Sequence, residues 1–399
     1  MNKTIDKEKQ YCAQNYLPLP VVIVRGRGIH VWDDQGRRYI DMMSAYSAVS
    51  HGHLHPRLVS AMHTQLTQLA VVSRAFHSDK LAPFLEKACE LMGMERGLPM
   101  NTGAEAVETA IKAARKWAYT VKGVELNKAE IIACEGNFHG RTIAIVGLSS
   151  EKQYRDGFGP FPPGLKRVRY NDPAALEEAI TPNTAAFIVE PIQGENGIVV
   201  PDRGYLQRCA EICKKHNVLL LCDEIQTGLG RTGAMLACNH DNVIPDGLIL
   251  GKALGGGLLP VSLFLSKREL MDVFEPGDHG STFGGNPLAC VVGLEALNVL
   301  VEKQLPKQAA DLGEYFMARL KDLPHPFIKE IRGRGLLIGM EIDPNYFTAR
   351  QVCEALLTKN ILSKETHDTV VRFAPPLVIT KAEIDTAIDS IESALNSLT

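Results

Sequence analysis

Compact apolar runs alternate with longer amphipathic stretches through the middle of the chain, from about residue 81 to about residue 300. Such runs are typical of strands that are buried on both faces of a parallel sheet. Between two of them, Leu206, Ala210 and Cys213 recur at helical spacing, which predicts a helix within 203–216 and a βαβ unit. We therefore expect a doubly wound α/β domain. The predicted strands are 129–134, 185–192, 218–223 and 247–250.

The beginning of the chain has a different pattern. Segments 29–32 and 38–41 flank the turn-like sequence Asp33-Asp34-Gln35-Gly36, and this arrangement predicts a short β-hairpin. We expect the N-terminal segment, residues 1–50, to contribute to a small domain, separate from the large ligand-binding domain at 51–304.

The end of the chain predicts a second part of that small domain, over 305–399. A helical stretch runs to about residue 320, and two short strands surround 332–335. A last amphipathic helix begins at Thr380, which forms a capping box with Glu383. These elements predict an α+β domain.

Composition narrows the class of protein. The chain has 399 residues, of which 43 are Lys or Arg and 46 are Asp or Glu, giving a formal net charge of -3. Because there is no long basic run, the composition argues against nucleic acid or an anionic membrane as a partner. No apolar run approaches the roughly 18 residues of a spanning helix. The nine scattered cysteines and the absence of a leader pattern predict free thiols and a cytoplasmic location.

An acid and a lysine follow two of the predicted strands. Asp223 ends the run 218–223, and Lys252 comes 29 residues later, after the run 247–250. Since the carboxyl ends of strands are where ligands bind in an open α/β sheet, both side chains can face one ligand. A structural ion pair is the alternative that charge alone leaves open.

The sequence around this pair resembles the class III aminotransferases of fold type I, which depend on pyridoxal 5′-phosphate. The resemblance extends over nearly the whole chain. It implies a fold with a large, doubly wound mixed sheet domain and a small α+β domain, and a homodimer or higher symmetric assembly with its active site at the subunit interface. The segments that carry it are 52–56, 101–106, 138–141, 190–195, 223–233, 251–257 and 281–287.

The resemblance implies roles for the residues around the cofactor ring. Lys252 would form the covalent link to the cofactor and then move the substrate proton, and a site among apolar strand ends would lower its pKa. Asp223 would pair with the pyridine nitrogen and keep it protonated. Gln226 would donate a hydrogen bond to the ring hydroxyl, with an ordinary polar loop residue as the alternative. Phe138 would stack on the ring.

Phosphate binding has a separate physical basis. The sequence Asn101-Thr102-Gly103-Ala104-Glu105 precedes a stretch with a helical apolar face. Gly103 and Ala104 therefore offer backbone N–H groups at a helix N-terminus, which favours phosphate, although an ordinary helix cap looks similar. By resemblance, Thr282 of the neighbouring subunit adds a hydroxyl to the same phosphate.

Among class III members, the chain is most similar to the ornithine aminotransferases, as judged from the segments 44–49 and 194–201 and from Tyr16. This similarity implies transfer of the δ-amino group of L-ornithine to 2-oxoglutarate, giving glutamate 5-semialdehyde and glutamate. A preference for N-acetylornithine or 4-aminobutyrate within the same class is the alternative. An aminomutase that needs no external keto acid and a noncatalytic binding protein are further alternatives, although the intact Lys252 and Asp223 argue against the latter.

The same resemblance assigns the substrate contacts. Arg141 would bind the distal carboxylate of both substrates, and Tyr16 and Tyr46 would orient the amino-acid head of ornithine. Arg372 would receive the α-carboxylate of 2-oxoglutarate. Glu195 would mask Arg372 while ornithine is bound and swing away for the keto acid.

Two further features bear on these expectations. Asn196, beside the proposed gate, stands where the family pattern leads us to expect alanine. The cluster His51-Gly52-His53-Leu54-His55 contains possible metal ligands, but no cysteine or carboxylate set with metal spacing accompanies it. We expect no metal site.

Overall fold

The computed structural model describes residues 2–398, and its central feature is a seven-stranded mixed sheet in the order β4-β10-β9-β8-β7-β5-β6. The strand β10 is antiparallel to both of its neighbours, and the other pairs are parallel. The predicted doubly wound mixed sheet is confirmed. Its strands are β4 (Arg96–Met100), β5 (Glu130–Cys134), β6 (Leu165–Val168), β7 (Thr184–Val189), β8 (Leu219–Asp223), β9 (Gly247–Leu250) and β10 (Ser262–Ser266).

Two smaller sheets are built from the ends of the chain. The first joins the predicted N-terminal hairpin to a C-terminal strand that runs parallel to β3, with Ile40 opposite Ile361. The second is wholly antiparallel, in the order β11-β12-β15-β14. The domain boundaries near residues 50 and 304 stay a prediction. The strands are β1 (Ile23–Arg27), β2 (His30–Asp33), β3 (Arg38–Asp41), β11 (Ile328–Arg334), β12 (Leu337–Ile342), β13 (Ile361–Leu362), β14 (Lys364–Thr366) and β15 (Val370–Phe373).

Helices cover the sheets, and none of those within residues 2–398 has the length and apolarity needed to cross a bilayer. The helices are α1 (Lys3–Tyr11), α2 (Ser44–Ser47), α3 (Pro56–Leu66), α4 (Leu81–Met92), α5 (Gly103–Trp117), α6 (Ile143–Leu148), α7 (Lys152–Arg155), α8 (Pro173–Ala179), α9 (Tyr205–Lys215), α10 (Arg268–Met271), α11 (Pro287–Glu302), α12 (Leu305–Lys321), α13 (Ala349–Thr358) and α14 (Lys381–Asn396).

The helix α5 lies against the central sheet with a buried apolar face, as predicted. Its start is fixed by a capping box in which the Thr102 hydroxyl accepts from the Glu105 N–H and the Glu105 carboxylate accepts from the Thr102 N–H. The predicted box of Thr380 and Glu383 at the start of α14 is also confirmed. Local hydrogen bonding thus sets where both helices begin.

The short element α2 was not predicted, and its backbone is left-handed. Four consecutive residues, Ser44 to Ser47, have φ between 44° and 75°. Because left-handed backbone costs roughly 1–2 kcal/mol for each residue with a side chain, surrounding contacts must hold it. The Ser44 hydroxyl donates to the Ala374 carbonyl at 2.7 Å, and the Asp41 carboxylate accepts from the Ser44 N–H at 2.8 Å.

A single arginine ties the three sheets together. Arg231 is fully buried, and its guanidinium donates to the carbonyls of Leu336 (2.9 Å) and Pro375 (2.6 Å) and to the hydroxyls of Ser44 (3.3 Å) and Ser50 (2.9 Å). These acceptors are all neutral. Burial lowers the pKa of Arg231 to about 9, so the side chain is still a cation at pH 7.

We expect Arg231→Met to lower the free energy of unfolding by about 3 kcal/mol or more, because the buried carbonyls of Leu336 and Pro375 lose their donor and each unsatisfied group costs about 1–3 kcal/mol. The midpoint of denaturant unfolding measures this. Arg208→Met is the matched control, since Arg208 is exposed on α9. Equal midpoints for the two variants would contradict the bridging role.

Candidate active site

A cleft of about 620 Å³ opens at the carboxyl ends of the parallel strands of the central sheet. Five strands of this sheet, β4, β5, β7, β8 and β9, each deliver residues to it from the end of the strand or the segment that follows. This is the position at which open α/β sheets bind ligands. The lining residues are Gly103, Ala104, Phe138, His139, Gly140, Glu190, Asp223, Ile225, Gln226, Thr227 and Lys252.

Asp223 is buried on the cleft wall and is held by His139, whose Nδ1 lies 2.7 Å from the carboxylate. The other carboxylate oxygen accepts from the Ile225 N–H at 3.1 Å. Burial disfavours the charged imidazole, but the hydrogen bond and the negative charge of Asp223 raise the pKa of His139 overall. Among residues 2–398, Nε2 of the buried His139 has no hydrogen-bond partner. Asp223 is therefore fixed in one orientation.

Lys252 follows β9 in a left-handed backbone conformation, with φ of 45°. Such a conformation is rare for a residue with a side chain and is typical of functional sites. Enclosure in the cleft lowers the pKa of Lys252, although the carboxylates of Glu195 and Asp223 oppose this. Within the described chain, the ion-pair partner of Asp223 within 4.0 Å is His139 and not Lys252. The simple structural ion pair considered above is thus not what the structure contains.

The N-terminus of α5 points unpaired donors at the cleft. The Glu105 carboxylate accepts from the N–H groups of Asn101 and Thr102, at 3.1 and 2.7 Å. The N–H groups of Gly103 and Ala104 come next, and no acceptor for them lies within residues 2–398. A helix N-terminus with free N–H groups favours an anion.

Glu190 belongs to the cleft although sequence reasoning gave it no role. Its two carboxylate oxygens accept from the Phe138 N–H at 2.9 Å and from the Gly194 N–H at 3.3 Å. Burial raises the pKa of Glu190 to about 7. The residue comes directly after β7, as Asp223 ends β8, so the rule that found Asp223 could have found Glu190 as well.

A second cluster adjoins the cleft and contains Tyr46, Glu195 and Arg372. Arg372 is fully buried and donates to both carboxylate oxygens of Glu195, at 2.6 and 3.0 Å. Its guanidinium carbon lies 5.2 Å from the centre of the Tyr46 ring. Desolvation disfavours the Glu195 carboxylate, but the charge and hydrogen bonds of Arg372 outweigh it and lower the pKa of Glu195 to about 2. The carboxylate is therefore ionised throughout the physiological range.

Gln226 connects the two clusters. It lines the cleft, and its Nε2 donates to the Glu195 carboxylate at 3.3 Å. A Cβ atom at Gly194 would lie 1.7 Å from the amide oxygen of Gln226, so a side chain at position 194 would displace this amide. The amide is thereby packed close to the backbone of the segment that carries Glu195.

Arg141 lies outside the set of cleft-lining residues but stacks on one of them. Its guanidinium carbon is 5.4 Å from the centre of the Phe138 ring and 3.4 Å from the centre of the Tyr154 ring. The side chain is exposed. Tyr154 had no predicted role.

Two further predicted site residues, Tyr16 and Thr282, are exposed and, like Arg141, do not line the cleft. Tyr16 is 74% exposed, on a segment that Arg350 holds through the carbonyls of Leu17 (3.0 Å) and Pro18 (3.3 Å). Thr282 is exposed as well, on a segment that Asn101 contacts through the neighbouring Ser281 hydroxyl at 2.7 Å. Within residues 2–398 of one subunit, no hydrogen bond joins Thr282 to the N-terminus of α5.

Two of the three clustered histidines have ordinary partners, whereas the buried Nδ1 of His55 has no hydrogen-bond partner within residues 2–398. His51 contacts the Ala296 carbonyl at 3.0 Å, and His53 contacts the Asp41 carboxylate at 2.8 Å. The part of the chain that the structure describes contains no group of three or more His, Cys, Asp or Glu residues that could hold a metal ion.

The mixed-sheet fold is the one that the resemblance in sequence predicts, and comparison with known families indicates the same class of protein. The model of the aminotransferase class-III family matches residues 11–395. The chain belongs to this family.

Individual proteins of known name are also similar to this chain. An ornithine aminotransferase of Geobacillus sp. (strain WCH70) is 56% identical over 395 residues, which cover 98% of each chain. A structure of the ornithine aminotransferase from Toxoplasma gondii, with partial occupancy of PLP at its active site, has a TM-score of 0.98 and 47% identity, over 99% of this chain and 94% of that one. The acetylornithine aminotransferase from Elizabethkingia anophelis has a TM-score of 0.90 and 46% identity, over 99% and 98% of the two chains.

The raised pKa of Glu190 predicts a pH dependence of stability. Below about pH 4.5 the Glu190 carboxyl is protonated in both the folded and the unfolded protein. Between about pH 4.5 and 7 only the unfolded protein releases the proton, so the folded protein loses stability as the pH rises. We expect the free energy of unfolding of Glu190→Gln, relative to that of wild type, to rise by about 2 to 3 kcal/mol between pH 5 and pH 8. Unfolding midpoints of the cofactor-free proteins at both pH values measure this.

The hydrogen bond that glutamine cannot make lowers stability equally at both pH values, so only the difference between them is informative. Glu135→Gln is the control, because Glu135 is exposed beside the same cleft segment. Parallel pH curves for Glu190→Gln and wild type would contradict the ionisation argument.

Proposed function

We propose that the protein is a pyridoxal-phosphate-dependent ornithine δ-aminotransferase. It transfers the δ-amino group of L-ornithine to 2-oxoglutarate and forms glutamate 5-semialdehyde, which cyclises to pyrroline-5-carboxylate, and glutamate. The observation that carries the proposal is the buried pair of Glu195 and Arg372 beside Lys252, with the unpaired cation Arg141 at the rim. This arrangement suits two substrates that differ by one carboxylate near the reacting carbon.

The residues of the cleft fit the cofactor. The N–H groups of Gly103 and Ala104 would hold its phosphate, Asp223 would pair with its ring nitrogen, and Lys252 would form the covalent link. Phe138 offers a ring face, and Gln226 offers an amide donor for the ring hydroxyl. Bound pyridoxal phosphate supplies an electron sink for the electron pair left when the substrate carbon loses its proton.

Lys252 has the properties that proton transfer requires. Its lowered pKa increases the share of neutral amine, and the neutral Nζ can take a proton from the substrate carbon and return it. His139 holds the Asp223 carboxylate in a single position, where it would pair with the ring nitrogen of the cofactor. These contributions are positional and electrostatic.

The two arginines would select and orient the substrates. Ornithine would place its α-carboxylate on Arg141, with Tyr16 and Tyr46 along the amino-acid head, so that its δ-amine faces Lys252. 2-Oxoglutarate would place its γ-carboxylate on Arg141 and its α-carboxylate on Arg372. For ornithine, an open Arg372 would favour reaction at the α-amine, and Glu195 neutralises it.

The backbone around Glu195 is tied down on several sides. The Thr366 hydroxyl donates to the Glu195 carbonyl, and the Gly194 N–H donates to Glu190. Asn196 donates to the Gln193 side chain at 2.9 Å, and a Cβ at Gly136 would lie 2.3 Å from the Asn196 amide nitrogen. The unexpected asparagine therefore braces this segment, and the gate would open by rotation of the Glu195 side chain.

We further propose that the enzyme acts as a homodimer, with Thr282 of one subunit completing the phosphate site of the other. Its exposure and its position beside α5 support this. His279 fixes the segment through Thr109 (2.8 Å) and Lys112 (2.9 Å), both on α5.

A cytoplasmic location also stays a prediction, with which nine free thiols agree.

The decisive assay uses cofactor-loaded protein with L-ornithine and 2-oxoglutarate, trapping pyrroline-5-carboxylate and quantifying glutamate. We expect ornithine to be turned over in preference to N-acetylornithine and 4-aminobutyrate, run in parallel, with both products in equal amounts. Lys252→Ala is the control, which loses turnover because no amine remains to link the cofactor or move the proton. Preferred turnover of either other amine would contradict the ornithine assignment.

We expect Glu195→Ala to slow the ornithine half-reaction at the δ-amine by at least about 10-fold, or to divert it to the α-amine, because Arg372 becomes open to the α-carboxylate. Single-turnover kinetics and product analysis measure both effects. The 2-oxoglutarate half-reaction is the internal control and should not slow, since it uses the open Arg372. Unchanged rate and product with ornithine would refute the masking role.

A further inference from the structure

Arg141 is held differently from Arg372, the other arginine of the site. Its guanidinium lies against the face of the Tyr154 ring, with 3.4 Å between the guanidinium carbon and the ring centre. Phe138 is a second, more distant aromatic neighbour at 5.4 Å. The Tyr154 and Phe138 rings meet edge to face, with 6.2 Å between centres and an interplanar angle of 86°. The three side chains form one packed unit.

This mode of support leaves the charge of Arg141 unpaired. Within residues 2–398, no carboxylate lies within 4.0 Å of its guanidinium, whereas Arg372 has both oxygens of Glu195. A ring face contacts the guanidinium plane and leaves the N–H groups in that plane directed outward. An arginine supported by aromatic rings can therefore accept a carboxylate from outside without first losing one from the protein.

Tyr154 itself is placed firmly. It belongs to the single turn α7, and the next residue, Arg155, donates to the Ser149 carbonyl at 2.9 Å. The Arg155 guanidinium also stacks on Phe161, at 5.0 Å from the ring centre. The Tyr154 ring is half-buried between Arg141 and the side of the cleft that carries Glu195. It can serve as a fixed platform.

We propose that Tyr154 is a positioning residue that sets the place and tilt of the Arg141 guanidinium, and so determines how tightly the distal carboxylate of either substrate binds. The inference rests on the proposed role of Arg141 as the carboxylate-binding cation. We assign this task to the ring, since the guanidinium lies against the ring face; the hydroxyl, which also interacts with Arg141, is tested separately by Tyr154→Phe. Tyr154 is not among the residues that line the cleft with Lys252.

The test compares Tyr154→Leu, which removes the ring, with Tyr154→Phe, which keeps it, in the cofactor-loaded enzyme. Arg141 is exposed in the free enzyme, and bound substrate would enclose it; a cation–π contact desolvated in this way is worth up to about 2 kcal/mol, so we expect Tyr154→Leu to raise the KM for ornithine and 2-oxoglutarate by roughly 5- to 30-fold. We expect kcat to change by less than about threefold and Tyr154→Phe to stay within about threefold of wild type in both constants.

Two further measurements distinguish a loss of Arg141 positioning from a general loss of active-site structure. The dissociation constant of glutarate, an unreactive dicarboxylate, should rise with the KM in Tyr154→Leu. The half-reaction with 1,4-diaminobutane, which is ornithine without its carboxylate, should be equally fast in wild type and in both variants, and the cofactor absorbance spectrum should be unchanged. Slowing of the diaminobutane reaction in Tyr154→Leu, or equal losses in Tyr154→Leu and Tyr154→Phe, would overturn the proposal.

Arg141→Met distinguishes failure of this inference from failure of the proposed function. If Arg141→Met raises the KM for ornithine and Tyr154→Leu does not, the carboxylate site stands and the role of Tyr154 is wrong. If Arg141→Met leaves the KM and the glutarate affinity unchanged, the assignment of Arg141 is itself wrong and the inference fails with it.

Discussion

Desolvation of charge is the constraint on which the active cleft depends. An amine, Lys252, and two carboxylates, Asp223 and Glu190, lie within one enclosed space, and each would be costly to bury alone. The structure stabilises each with a different neighbour. His139 holds Asp223, two backbone N–H groups hold Glu190, and the surrounding negative charge partly offsets the burial of Lys252. The cleft therefore keeps Lys252, whose pKa is lowered, near the fixed carboxylate of Asp223, and the two side chains do not form an ion pair.

The parallel sheet makes this arrangement attainable, because it brings five strand ends to one edge. This part of the molecule is readable from sequence. The run at 247–250 coincides with β9, and the polar residues after such runs identify Asp223 and Lys252. The capping boxes at Thr102 and Thr380 are equally local signals. Where hydrogen bonding and burial are set within a few residues, pattern and structure agree.

Features that depend on distant segments could not be predicted in the same way. The left-handed turn at 44–47 is held by contacts with Asp41 and Ala374, which no local pattern reveals. The antiparallel strand pair β4 and β10 brings together residues more than 150 positions apart. Tyr154 lies beside Arg141 only because α7 folds back over the segment after β5. Motif resemblance placed Tyr16 and Thr282 in the site, and their exposure in one subunit is visible only in three dimensions.

The bracing of the segment around Glu195 has a consequence for the timing of the reaction cycle. A gate that required movement of a loop or domain would open on the microsecond-to-millisecond scale and could limit turnover. Here the backbone is fixed by Thr366, Glu190 and the Gln193–Asn196 contact, so the proposed gate would open by torsion about the side-chain bonds of Glu195. Opening of that kind would let the two substrates alternate without a slow movement of a loop or domain between them.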